Sequence, residues 1–428
     1  MMEEKTITID PRIFISKPFI ECPKCKKKSF GVLMVSGHGY TRRCRECWFS
    51  DSFDLPKLSK KVIYLDQFAI SEMMKAVNKK LGKEKNVDRF WFSLFEKLER
   101  LNKLQLIVCP DSTFHRGESL LFEPKAMKRM YEHFSNGVSF HDPATIRRFQ
   151  LAAYFRKKVG GEDKEIERND IIHGRVDKWL DRFHVSVDFG IKGEEIEGLI
   201  KSREAVFEAL QKVFESWQSE KNKKFKNWYL EEGLAWGKAM AERYVHQLAE
   251  SAASIISGQN YSIEKYTSFI MSEELILIQS LEYYIPGDKL EKTRKVLSFL
   301  QSEDILEISF NEIASSLWAA IAHQAAHSGR KKPPNRGMAS DIDMISTLLP
   351  YCDAMFIDRE MFELLNHGEV KKKISKYKTK IYSASNKKDF MAYLDDIEKS
   401  ASKEHLKLVD HVYGENWAEP YWSMYEEK

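Results

Sequence analysis

Cys22-x2-Cys25 and Cys44-x2-Cys47, eighteen residues apart, hold four of the six cysteines in the chain. Thiolates at this two-knuckle spacing bind zinc tetrahedrally. Two redox pairs or unligated thiols would not explain why both pairs sit in one short segment. Carboxylates make a second set. The apolar run Val62-Ile63-Tyr64-Leu65 ends on Asp66, and Ala354-Met355-Phe356-Ile357 ends on Asp358. Glu118 falls in the early turns of a helix that follows a strand over 104–109, with Ser112 as its cap, and Asp341 and Asp343 open another helix. A carboxylate at the end of a buried strand is costly to desolvate unless a cation meets it.

In a parallel α/β sheet, ligands gather outside the carboxyl ends of the strands. Asp66 and Asp358 take that position, and the helices of Glu118 and Asp341 start at the same edge. Four acids there cannot all stay ionised without a cation. Hard oxygen ligands in this number suit Mg²⁺ or Mn²⁺. Such ions generate hydroxide and neutralise the charge on a scissile phosphate.

VIYLDQFAIS, the Glu118 helix and SDIDMISTLLPYCDAMFIDREMF resemble the acidic motifs of PIN-domain and PIN-like ribonucleases, and the closing strand TKIYSAS fits as well. The resemblance covers 61–122 and 337–400, under a third of the chain. It implies an α/β, PIN-like parallel sheet flanked by helices. It also implies a catalytic set of Asp66, Glu118, Asp341 and Asp358, and RNA rather than DNA as substrate. Spacing favours Asp341 over Asp343 as ligand, which leaves Asp343 to support a ligand or meet a partner. The chain departs from compact PIN domains in a long helical segment between the second and third acids, and in the ribbon at its front.

Other patterns compete. His323 and His327 in HQAAH share one helical face, the zincin layout, but Gln324 stands where a metalloprotease needs its general-base Glu. They read as core or surface histidines, with a lesser role in holding phosphate left open. Arg168-Asn169-x3-His173 is similar to the motif of HEPN ribonucleases, which implies metal-free RNA cleavage as an alternative, usually by a dimer. A zinc-ribbon nucleic-acid-binding scaffold with an inactive acid pocket is a third reading. Lys26, Lys27, Arg42 and Arg43 surround the cysteine pairs, with Trp48 and Tyr40 nearby to stack a base. Arg330, Lys331, Lys332 and Arg336 make a second candidate grip on a phosphodiester strand. Asp111 and Asp353 read as turn or cap residues, with a buried, functional place left open for Asp353, and Cys109 and Cys352 read as small buried apolar ones.

These residues need a scaffold. The chain of 428 residues, 43% hydrophobic and 31% charged, is long enough for two or three domains and is not disordered. The spacing predicts a zinc ribbon over 1–58, with a hairpin turning near Gly37 and Gly39. A first PIN-like part follows over 59–122, then an all-helical insertion over 123–336, a second PIN-like part over 337–400 and a tail over 401–428. The net charge of +4 assigns no partner, but residues 1–60 carry five more cations than acids, which suits a nucleic-acid backbone. No apolar stretch spans a bilayer, and the first residues lack a signal-peptide layout, so a cytoplasmic protein is expected. The insertion suggests a regulatory protein partner or a homo-oligomer, in a toxin or defence setting.

Overall fold

The computed structural model describes residues 19–36, 39–54, 60–80, 88–115, 124–135, 138–175, 193–257, 267 and 269–413. Its centre is a parallel sheet of four strands: β5 (Lys61–Leu65), β6 (Ile107–Val108), β9 (Ala354–Phe356) and β10 (Lys380–Tyr382), in the order β10-β9-β5-β6. After the exposed Lys61 that opens β5, β5 and β9 read as unbroken apolar runs because both faces are covered. Alternation splits them cleanly. Ile63, Leu65, Ala354 and Phe356 pack on one side against helices α1 (Gln67–Lys80), α2 (Arg89–Lys103) and α3 (Pro124–Ser135). Val62, Tyr64 and Met355 face the opposite core, which is built mostly from the insertion.

A second sheet is antiparallel. It contains β1 (Phe19–Glu21), β2 (Lys28–Ser36), β3 (Gly39–Cys44), β4 (Ser50–Asp54), β7 (Val138–Phe140) and β8 (Ile172–Arg175), in the order β4-β3-β2-β8-β7, with β1 also on β2. One expectation is corrected here, and the ribbon proves joined to the insertion. The insertion is not all helical, because β7 and β8 belong to it. The ribbon does not stand alone, because β8 pairs with Met34 and Val35 of β2. The two sheets are stitched together past the end of β6. Asp111 N–H donates to Val138 O at 2.9 Å, and Phe140 N–H donates to Asp111 O at 2.8 Å.

In the rest of the insertion, α4 (Pro143–Lys158), α5 (Gly193–Ser219) and α6 (Phe225–Ile256) surround α7 (Ser309–His327), whose buried alanines let neighbours approach closely. α8 (Met338–Leu348) then leads back to the parallel sheet. α6 also packs tightly on the segment that precedes α7. A Cβ on Gly233 would stand 1.9 Å from Leu306 Cδ2, and one on Gly237 would stand 1.9 Å from the Leu300 carbonyl oxygen. The second obstacle is backbone and cannot rotate away. Among the described residues no helix is long and apolar enough to cross a membrane.

Alanine is the better helix former by ~1 kcal/mol, yet Gly237→Ala should destabilise the protein by ~1–3 kcal/mol through overpacking. Urea denaturation beside the same substitution at exposed Gly198, where a Cβ meets nothing within 4 Å, checks this. Gly198→Ala should be neutral or stabilising.

Candidate functional site: a carboxylate edge and a four-cysteine cluster

β5 and β9 lie side by side with Leu65 opposite Phe356, so the residues after them emerge together. Asp66 N–H extends the ladder by donating to Phe356 O at 2.9 Å. The Asp358 N–H then donates to Asp66 Oδ2 at 3.2 Å. Each acid also starts a helix. Ala69 and Ile70 donate to the Asp66 carbonyl. The Asp358 carboxylate caps α9 (Arg359–Leu365), accepting from Met361 N–H at 2.9 Å. Burial pushes the Asp358 carboxyl above its ordinary range. Amide hydrogen bonds from Met361 and Glu360 oppose this, and the charge of Glu360 adds to it.

Asp341 stands in the first turn of α8, its carboxylate lying back toward Gly337, 3.5 Å from where a Cβ would be. The loop before it is latched to the turn after Asp358. Arg330 pairs with Glu360 at 2.5 Å, Asn335 Nδ2 donates to the same carboxylate at 3.2 Å, and Asn335 Oδ1 accepts from Gly337 N–H at 2.8 Å. Asp343 points elsewhere, forming an ion pair with Arg147 of α4 at 2.5 Å. Glu118 lies outside the described residues. Among the described residues, Asp66, Asp341 and Asp358 do not close to the spacing of a shared ion; only the four cysteines do.

One residue at this edge escaped the sequence reading. His115 is 3% exposed. Its ring lies between Tyr64, at 4.9 Å, and Tyr131, at 4.4 Å. Nε2 meets the Leu65 carbonyl at 2.9 Å, one residue before Asp66, and Nδ1 meets Asp111 Oδ1 at 3.3 Å. The signal was present: Asp111 and His115 are four apart, and Ser112 Oγ caps the turn between them by accepting from His115 N–H at 3.3 Å.

Cys22, Cys25, Cys44 and Cys47 bring their sulfurs within 4.8 Å of one another, a cluster that could hold a structural metal such as zinc. Cys22–Cys47 and Cys25–Cys44 are each 3.6 Å apart. Zinc with ~2.3 Å bonds sets tetrahedral sulfurs ~3.8 Å apart, so the donor set fits. The residue after each pair, Lys26 (φ 62) and Trp48 (φ 60), turns left-handed, letting its N–H reach back to the first cysteine of its pair. Burial opposes ionisation of Cys44, but hydrogen bonds from Ser29, Cys47 and Glu46 bring its thiol down to about 6.

The basic residues divide. Arg42 is 2% exposed and its guanidinium donates to Phe30 O at 2.9 Å, so it braces the ribbon and is not on a binding surface. Lys27 pairs with Glu46 at 3.1 Å, and Lys26 is exposed. Arg43 stacks 4.5 Å from the ring centroid of Trp48, itself 63% exposed. Arg330 is committed to Glu360, and Arg336 reaches Glu204 at 3.4 Å and lies over Phe207. Lys331 and Lys332 are exposed.

His323 and His327 share α7, their rings 4.7 Å apart against Trp228, and His327 meets the Lys223 carbonyl at 2.9 Å. The HEPN-like pair does not share a helix. Arg168 sits in a four-residue helix, Arg168–Ile171, and pairs with Asp353 at 2.6 Å, while His173 stands on β8. Asp353, at the bend before β9, is a clamp. Its carboxylate also accepts from Val62 N–H at 2.9 Å and Lys61 at 3.2 Å. Compared with known families, curated proteins and solved structures, the chain gives no match.

Two outcomes are expected. Purified protein should carry one zinc per chain by atomic absorption, and Cys44→Ser should lose it and melt earlier. Separately, the folded chain binds the Asp358 proton more tightly than the unfolded chain. Stability from this group is therefore complete below the ordinary carboxylate range and lost as pH rises through the raised folded value. Asp358→Asn keeps the helix cap and should raise Tm at neutral pH, which differential scanning calorimetry reads.

Proposed function

We propose that the chain is a metal-dependent nuclease with a PIN-like catalytic sheet, acting on RNA in preference to DNA, with a zinc ribbon and a large insertion. The observation that carries the reading is the pairing of Asp66 and Asp358 at the carboxyl ends of adjacent parallel strands, locked by the 3.2 Å bond from Asp358 N–H to Asp66 Oδ2. Two carboxylates held at that edge, one of them raised by burial, form an environment that a cation relieves. Asp66 and Asp358, with Asp341 and Glu118, are the residues that would hold Mg²⁺ or Mn²⁺. Such an ion supplies hydroxide at neutral pH and neutralises charge on the phosphate.

The chain's own side chains do the positioning. Met361 N–H fixes the Asp358 carboxylate. Arg330 and Asn335 hold the loop that carries Lys331 and Lys332 beside the Asp358 turn, which offers two exposed cations to a phosphodiester backbone. Arg43 stacked on Trp48 offers the ribbon a combined charge and stacking surface. The wider spacing of Asp66, Asp341 and Asp358 favours a second reading, a ribbon-bearing nucleic-acid scaffold whose acids do not catalyse.

Single-stranded RNA and DNA incubated in Mn²⁺, Mg²⁺ or EDTA separate the two. The nuclease reading expects cutting that EDTA stops. Asp66→Ala and Asp358→Ala should each reduce it at least about a hundredfold, equivalent to ~3 kcal/mol. Cutting that survives EDTA and both substitutions would refute it. Strand binding without cutting, and without Mn²⁺ binding by calorimetry, would establish the scaffold.

A further inference from the structure

A cleft of about 790 Å³ opens at the start of α7. It lies at the other end of the parallel sheet from Asp66. Arg168 in its wall bonds Asp353, and Asp353 holds Val62 near the first residue of β5. Apart from Arg168 and Asn169 of the HEPN-like motif, no residue assigned above to cutting or strand binding lines it.

Its chemistry is distinctive. The rings of Tyr154, Tyr351 and Tyr377 line the walls, with Ile166, Ile308 and Pro350 between them. The N-cap of α7 is Ile308, which has no side chain to cap it. Gln150, from α4, supplies the missing acceptor: its Oε1 takes the Phe310 N–H at 2.9 Å. Gln150 is 5% exposed and lines the cleft. Its Nε2 lies beside the Tyr351 hydroxyl but completes no hydrogen bond of normal geometry. A buried amide donor in that state is costly, and turning the side chain toward an acceptor held in the cleft would relieve it. Asn169, also 5% exposed, lines the same space.

Charge narrows the ligand. Four cations and four acids line the cleft, so it has no net charge. Lys157 pairs with Asp163, Arg168 with Asp353, and Lys376 with Glu312, each at 2.6 Å. A phosphate finds no excess cation here. A flat heteroaromatic ring with its own donors and acceptors finds aromatic faces and buried amides. The rim is already formed. Gly160, at φ +85, turns the chain, and Arg156 holds the strap after it through the carbonyls of Glu162 at 2.9 Å and Lys164 at 3.2 Å.

We propose that this cleft binds a nucleobase, stacked among the tyrosines and read by the amides of Gln150 and Asn169. The site is separate from the carboxylate edge and does not depend on the chain being a nuclease. The base can come from a free nucleoside or from a nucleic-acid strand; the chemistry is shared.

Calorimetric titration of the full chain tests this, with adenosine, guanosine, cytidine, uridine, ribose 5-phosphate and short single-stranded oligonucleotides. At least one nucleoside or oligonucleotide should bind, and ribose 5-phosphate should not. Saturation by nucleosides identifies a free ligand; response to oligonucleotides alone identifies a strand. Tyr154→Ala, at the rim, should weaken binding about tenfold or more, and Gln150→Leu should do the same, with circular dichroism confirming that both fold. Should Gln150→Leu unfold, Tyr154→Ala decides. The proposal is overturned by an absence of binding at millimolar ligand, by equal binding of ribose 5-phosphate, or by nucleoside binding that survives Tyr154→Ala.

Discussion

The Asp353 carboxylate is the constraint on which the remainder turns. It stands just before β9 and reaches across to the start of β5, where it accepts the Val62 N–H, and it takes the Arg168 guanidinium from the insertion. Three parts of the chain therefore meet on one side chain: both halves of the parallel sheet and the segment that separates them. Removing the guanidinium would leave the largely buried Asp353 carboxylate only the longer Lys61 ion pair, and removing the acid would leave Arg168 without its partner. With the starts of β5 and β9 in register, their ends are in register too, and Asp66 and Asp358 emerge as neighbours.

The insertion is part of this frame rather than an ornament on it. It supplies most of one face of the parallel sheet, contributes β7 and β8 to the ribbon sheet, and sends Arg147 to Asp343. The ribbon in turn is joined to the parallel sheet through backbone bonds at Asp111. A cysteine cluster at one end and a carboxylate edge at the other are thus connected by continuous hydrogen-bonded strands.

Much of this was legible in the residues. The cysteine pairs are diagnostic because tetrahedral thiolate binding demands that spacing, and Val62–Leu65 and β9 are apolar throughout because both their faces are covered. β7 and β8 were not legible. Three and four residues carry no periodicity, and their pairing with β2 is set by tertiary contact. Two readings could have been sharper. Arg42 is two residues from Cys44 on a strand, so it shares the buried face of that cysteine. Asp341 and Asp343 are two apart on a helix, so they point to different sides and cannot both serve one edge. The nucleobase cleft was invisible, since its tyrosines and amides come from segments that only the fold assembles.

The pairing of β5 with β9 also sets a timetable. The residues that meet across this centre are 291 apart in sequence. A ribosome adding about 5–20 residues per second needs roughly 15–60 s to bridge that interval. During synthesis β5 is complete while its central neighbour does not yet exist, and an apolar strand with an open edge is a template for wrong partners. The intervening helices rely on local contacts and can form within that wait. They cover Val62 and Tyr64 in the finished molecule, so the segment that separates the two halves is also placed to shield the first of them until the second arrives.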